Sequence, residues 1–266
     1  MLAVAKLQIN ASDSAKTPSA APKTQKIRQL MTVPTEARKL KILCLHGYLQ
    51  NAEIFRSRIG SMRKSLKSHA EFVFVDAPYL TESATEQDVA ESGGSTASEG
   101  RTWWQWTDLD PGTRPSRAAS YTGWSASQEA IHAALEQNWP VDGILGFSQG
   151  ATAAALYLSH ASRGGNNINI PRWAVLIGGF MPRDGSCAAV IKETAPLQQR
   201  SLHVTGEKDE LVPTERSEEL WKSFEEKYRT VYSHGGAHMV PTCSGEFKKA
   251  MVKFLDEVKA VVVTQL

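Results

Sequence analysis

From Leu40 onward, short apolar runs alternate with stretches whose apolar residues recur at helical spacing, and this rhythm leaves few architectures open. Strands are predicted at Leu40–Leu45, Glu71–Val75, Val141–Phe147, Trp173–Phe180, Ser201–Thr205 and Thr230–Ser233. Helices are predicted near 51–68, 125–138, 149–160 and 214–228. A closing helix after Ser244 carries Phe247, Met251, Phe254, Leu255 and Val258 on one face. Strands that alternate with helices form βαβ units, hence a mostly parallel sheet with right-handed crossovers. The expectation is an α/β fold with about six strands flanked by helices, built as one domain over residues 37–266. A chain of 266 residues buries roughly three quarters of its unfolded surface, so neither disulfides nor a metal is needed to fold it.

The rhythm breaks at 79–122, a long loop. Its Thr81–Gly100 portion holds five acids and no bases among many Ser, Thr and Gly, the composition of a solvated loop. Between Phe180 and Ser201 the chain is too short for a large helical cap domain. Residues 1–36 are rich in Ala, Ser, Thr, Lys and Pro, which fits a flexible tail or an organelle transit segment. A cytoplasmic location is expected in the first case, a plastid or mitochondrion in the second. The apolar start is too short for a secretory leader, and no run of about 18 apolar residues predicts a membrane span. The net charge is only +2, with no basic face or stripe in the body, so no nucleic-acid partner is expected. Three widely spaced cysteines, Cys44, Cys187 and Cys243, suggest reduced thiols rather than a disulfide framework or a zinc site.

The chemistry concentrates at Gly146-Phe147-Ser148-Gln149-Gly150, a G-x-S-x-G between a predicted strand and helix. Ser148 is the candidate nucleophile. A Cβ at either glycine would crowd the tight turn that lifts its hydroxyl above the sheet. The amide of Gln149 opens a helix, where an N–H and the positive dipole end face an incoming oxyanion. A serine hydroxyl needs a base. His160 and His203 fall on a helix end and inside a strand, so the candidates are His234 and His238 in the glycine-containing loop after the last strand, with His238 favoured by position. The acid that fixes the imidazole should follow a strand. Asp209 is favoured, with Glu207, Glu210 and Asp184 as rivals. A second oxyanion donor is expected from the loop after the first strand, the backbone N–H of Tyr48, with Gly47 allowing close approach and His46 ordering the loop. Trp103, Trp104 and Trp106 either wall an apolar acyl pocket or anchor the long loop to the core.

These stretches together resemble the FSH family of serine hydrolases within the α/β-hydrolase superfamily. The matching segments are Leu43–Asn51, Val75–Pro78, Arg101–Trp104, Tyr121, Val141–Ala151, Gly206–Pro213 and Gly235–Pro241, within about residues 40–258. The resemblance implies an α/β-hydrolase fold and Ser148, Asp209 and His238 as nucleophile, acid and base. It further implies hydrolysis of small-molecule carboxylic esters or thioesters with no metal or cofactor. The chain departs from the family in its N-terminal tail and its acidic insert at 81–100. A second reading is a non-enzymatic or slow-turnover ligand receptor on a hydrolase fold. Such receptors usually rely on a helical cap, which the short 181–200 segment argues against.

Overall fold

The computed structural model of the chain describes residues 38–81, 100–108, 117–164 and 170–264. The N-terminal tail and nearly all of the acidic insert lie outside the described residues. Six strands form one sheet: β1 (Leu40–Leu45), β2 (Ala70–Val75), β7 (Gly143–Phe147), β8 (Trp173–Ile177), β9 (Arg200–Gly206) and β10 (Arg229–His234). Their order is β10-β9-β8-β7-β1-β2, and every neighbouring pair runs parallel. β1 and β7 pair side by side, from Ile42 opposite Gly143 to Leu45 opposite Gly146. The chain winds outward from β1 to β2, returns to β7 and then proceeds the other way. The reversal between β1 and β7 opens a crevice at their carboxyl ends, the place where open α/β sheets bind ligands.

Alternate strand residues face opposite sides, and the two faces carry two separate cores. On one side Leu43, Leu45, Ile144, Ala174 and Leu176 pack beneath α3 (Trp124–Gln137), α4 (Gln149–Arg163), α5 (Gly185–Thr194) and Leu220 of α6 (Thr214–Trp221). On the other, Ile42, Cys44, Leu145, Val175 and Val204 pack against α1 (Ala52–Arg58), α2 (Gly60–Ser65) and α7 (Gly245–Thr264). The two-sided burial explains why the strands read as continuous apolar runs. No helix among the described residues is long and apolar enough to cross a membrane.

Three expected elements differ in detail. The helix expected at 51–68 is two, because Ile59 (φ −88°, ψ 21°) breaks the helical backbone between α1 and α2. The turn keeps Phe55, Ile59, Met62 and Leu66 all buried. The helix expected to run to Tyr228 stops at Trp221. There the backbone of Ser223 and Glu225 bonds to Leu197 (2.8 and 2.9 Å), which pulls the chain straight before a 3-10 turn at Glu226–Tyr228. Helix α5 lies in the segment read only as too short for a cap. Its N-cap is Asp184, whose carboxylate accepts from the N–H of Cys187 at 2.9 Å.

Among the described residues, the break at 79–122 contains two small antiparallel pairs. β3 (Tyr79–Leu80) pairs with β4 (Arg101–Thr102), and β5 (Gln105–Trp106) with β6 (Tyr121–Thr122). Arg101 ties them to the loop after β1: its carbonyl accepts from Leu49 at 3.1 Å and its N–H donates to Gln50 at 2.8 Å.

Candidate active site

Ser148 sits between β7 and α4 with φ 54° and ψ −119°, a backbone conformation that L-residues rarely adopt. Such a residue costs on the order of 1–3 kcal/mol and persists only where its surroundings impose it. Here they do. The Ser148 N–H donates to the carbonyl of Ile177 at 2.8 Å, and its own carbonyl accepts from Ala151 and Thr152 at 2.9 and 3.1 Å. A Cβ on Gly146 would fall within 2.5 Å of the Ala151 backbone, and one on Gly150 would overlap the carbonyls of Leu45 and His46. The two glycines of the motif are therefore required where α4 crosses the sheet.

His238 reaches Ser148 from the loop after β10. Its Nε2 lies 2.7 Å from Ser148 Oγ, and its Nδ1 lies 2.6 Å from Asp209 Oδ2. The Asp209 side chain is 3% exposed, and its other oxygen accepts from the N–H groups of Leu211 (3.1 Å) and Val212 (2.8 Å). One carboxylate oxygen is thus committed to the turn and the other to the imidazole. Because a carboxylate only accepts, the Nδ1 proton belongs to His238, and the Nε2 lone pair faces the Ser148 hydroxyl. The imidazole is held by packing as well. The Phe147 ring lies 5.1 Å away, tilted, and a Cβ on Gly178 would fall 2.9 Å from Cε1 of His238. Gly206 lets β9 pass close to the His238 loop, since a Cβ there would sit 2.6 Å from the Gly236 carbonyl.

The loop after β1 forms the opposite wall. His46 is fully buried, with Nδ1 bonded to the Gly47 carbonyl (2.8 Å) and Nε2 accepting from the N–H of Ala77 (3.0 Å). Those partners specify the neutral Nδ1–H tautomer, and burial pulls the His46 pKa down to about 4. His46 therefore orders the loop and faces no serine. Gly47 lies against Phe147, where a Cβ would come within 2.9 Å of its ring. The Tyr48 ring stands edge-on to Trp106 at 5.1 Å. Gln149 opens α4 with a buried side chain. Its carbonyl oxygen accepts from the Trp103 N–H at 3.0 Å, and its amide donates to the Thr102 hydroxyl at 2.8 Å. Nothing in the local sequence marks this side-chain role, because its partners are 46 and 47 residues away.

The rivals have other partners. His160 stacks on Trp124 at 6.1 Å. His203 is buried in β9 against the Ser201 hydroxyl (3.0 Å) and the Phe224 ring. His234 accepts from the Gly236 N–H at 3.1 Å, bracing the loop that carries His238. Glu207 and Glu210 are exposed. Asp184, besides capping α5, accepts from the N–H of Tyr121 at 2.9 Å and so fastens β6 to the body. Of the three tryptophans, Trp103 and Trp104 are 0% and 2% exposed. The acyl-wall reading is corrected for these two: an indole without accessible surface has none to offer a substrate. The Trp103 Nε1–H donates to the His46 carbonyl at 2.8 Å, and Trp104 stacks on Tyr121 at 4.9 Å, so both act as anchors. Trp106 alone of the three keeps partial exposure.

The strand order, with a serine on a strained turn at the point where that order reverses, makes this an α/β-hydrolase fold. Esterase PE8, a solved structure, shares it, with a TM-score of 0.57 over 85% of this chain and 95% of that one at 20% identity. Sequence similarity is more specific. The serine hydrolase (FSH1) family model matches residues 31–250, and the chain belongs to that family. Esterase AAEL000016 of Aedes aegypti is 36% identical over 228 residues, 82% of this chain and 76% of that protein. Esterase OVCA2 of Homo sapiens is 33% identical over 225 residues, 83% of this chain and 97% of that protein.

Proposed function

We propose that this serine hydrolase cleaves carboxylic esters or thioesters of acyl substrates through an acyl-enzyme, with Ser148 as nucleophile, His238 as general base and acid, and Asp209 as the group that orients His238. The observation that carries this reading is the unbroken series from Ser148 Oγ through His238 to Asp209, at 2.7 and 2.6 Å. The names of the esterase relatives support the choice of bond.

The Ser148 proton passes to Nε2 of His238 as Oγ bonds to the acyl carbon, and the carbonyl π electrons move onto oxygen. The backbone N–H groups of Gln149 and Tyr48 receive this oxyanion; the first stands at the start of α4, where the helix dipole is positive. Collapse of the adduct expels the alcohol or thiol, which takes the proton from His238. Water then gives a proton to Nε2 and its oxygen to the acyl carbon. Ser148 Oγ leaves, regains the proton, and the carboxylic acid departs. Asp209 keeps the imidazole in the productive tautomer and stabilises the imidazolium.

The deciding experiment is labelling of the purified protein with a fluorophosphonate probe, beside turnover of p-nitrophenyl esters and acyl thioesters of graded length. Labelling and multiple turnovers are expected, both abolished in Ser148→Ala. A folded protein that neither labels nor turns over any ester has no activated serine, and the reading fails.

A further inference from the structure

Linked to Ser148 through Phe180 and Thr152 is Arg216, a cation with no ion pair among the described residues. Arg216 lies in the first turn of α6, and its guanidinium carbon is 4.7 Å from the centre of the Phe180 ring. Its Nη2 is buried and has no hydrogen-bond partner among the described residues. The charged groups around it do not supply one. Glu219, on the same helix, is engaged by Lys192 at 3.0 Å. Asp184 accepts from Ser186, from the Cys187 N–H and from the Tyr121 N–H. The other charged neighbour among the described residues is Arg183; burial, and then this like charge, lowers the Arg216 pKa. Next to it is the Tyr121 hydroxyl, which accepts from the Arg183 N–H at 3.2 Å and keeps its own proton to donate. Burial raises the Tyr121 pKa, so that proton stays in place near neutrality.

The position matters as much as the lack of a partner. Phe180, on which Arg216 stacks, is clamped by Thr152: its carbonyl accepts from Oγ1 at 2.8 Å and its N–H donates to Oγ1 at 3.1 Å. Thr152 is in the first turn of α4, and its N–H donates to the Ser148 carbonyl. The Met181 N–H donates to the Arg216 carbonyl at 3.2 Å, so α6 and the loop after β8 form one wall. A half-buried guanidinium beside a second cation is costly unless an anion meets it, and a guanidinium fork matches carboxylate or phosphate oxygens.

Resting on the proposed esterase reading, we infer that Arg216, with Arg183 and the Tyr121 hydroxyl, receives a negatively charged group of the substrate next to Ser148. The preferred substrates are then anionic acyl esters or thioesters, carrying a carboxylate or a phosphate. The wall offers that group the buried Nη2 of Arg216 and the Tyr121 hydroxyl proton, which a neutral acyl chain does not engage.

The test compares two nearly isosteric esters, p-nitrophenyl hemiglutarate and p-nitrophenyl valerate, in wild type, Arg216→Gln, Arg216→Lys and Tyr121→Phe, each checked for a native melting curve. In wild type the ratio of kcat/KM, charged over neutral, is expected to exceed one. Arg216→Gln is expected to lower it about tenfold or more, with part regained in Arg216→Lys and a smaller loss in Tyr121→Phe, which keeps the stack on Trp104. Free glutarate and inorganic phosphate are then tried as competitive inhibitors of valerate hydrolysis. Whichever inhibits wild type and weakens in Arg216→Gln identifies the anion. A ratio of one or less without inhibition by either anion, or a ratio unchanged in Arg216→Gln, overturns the inference. Those results leave the esterase reading intact as long as valerate turnover disappears in Ser148→Ala. If neither ester is turned over and Ser148 does not label, the esterase reading itself falls and takes this inference with it.

Discussion

At the scale of single residues, the site depends on glycines as much as on the groups that react. Gly178 follows β8 with φ +59°, and the space its missing Cβ leaves is filled by the His238 ring. Gly178→Ala adds both a strained backbone and a methyl group 2.9 Å from Cε1. The imidazole must then move away from Ser148, and proton transfer is sensitive to displacements of this size. The expected result is a fall of at least about tenfold in kcat with a smaller change in KM, read by steady-state kinetics on a folded variant. Unchanged kcat would show that His238 has room to spare. The three residues proposed to react could be picked out in the sequence, because that chemistry calls for particular side chains after particular strands, and Ser148, Asp209 and His238 each follow one and come together in the structure. The side chain of Gln149 was not legible. It looks like filler in the motif, and its partners lie 46 and 47 residues away in the chain.

At the scale of elements, the stretch 101–106 is the support of the loop after β1. Trp103 touches that loop twice, through the indole N–H on the His46 carbonyl and through its ring 5.3 Å from the imidazole of His46. Its own carbonyl accepts from the Ser127 hydroxyl, which fixes it to α3. Trp103→Phe keeps most of the apolar contact and removes the donor, leaving a buried carbonyl unpaired. A loss of about 1–3 kcal/mol is expected from urea unfolding at unchanged m-value. A lower kcat should accompany it, since Gly47 and Tyr48 lose their brace; equal stability would show that water replaces the indole. The sequence showed three indoles but not which way they face, since packing direction depends on partners distant in the chain. The helix at Gly185–Thr194 was missed for a different reason. Asp184 was weighed as an acid near the site, whereas its place just before Gly185-Ser186-Cys187 marks an N-cap, and the structure uses it so. The break at Ile59 could not be read because the apolar spacing runs through it unbroken.

At the scale of the whole molecule, two fully buried histidines outside the proposed reaction make folding depend on pH. His46 supports the crevice and His203 lies in the middle of β9, and burial pulls their pKa values from 6.5 to about 4 and about 3. In the unfolded chain both return to the ordinary histidine value. Below pH 6.5 the unfolded state therefore binds protons that the native state refuses, so stability rises with pH across that window. The contribution is complete above pH 6.5 and is lost as pH falls toward the native values, at about 1.4 kcal/mol per pH unit for each histidine. Asp184 acts in the same direction but lower. Burial pushes its carboxyl up, yet hydrogen bonds from Ser186, Tyr121 and Cys187 outweigh that and hold it below 3.8. The interval from pH 6.5 to about 4 thus isolates the histidines. The urea midpoint should be level from pH 8 to 7 and then fall steadily to pH 4.5. His203→Gln, which cannot charge, should flatten part of that fall, the rest coming from His46 and from His160 and His234, whose pKa values burial also lowers. A midpoint independent of pH throughout this interval would mean that His46 and His203 take up protons while folded, and that neither strand core nor crevice excludes the charge.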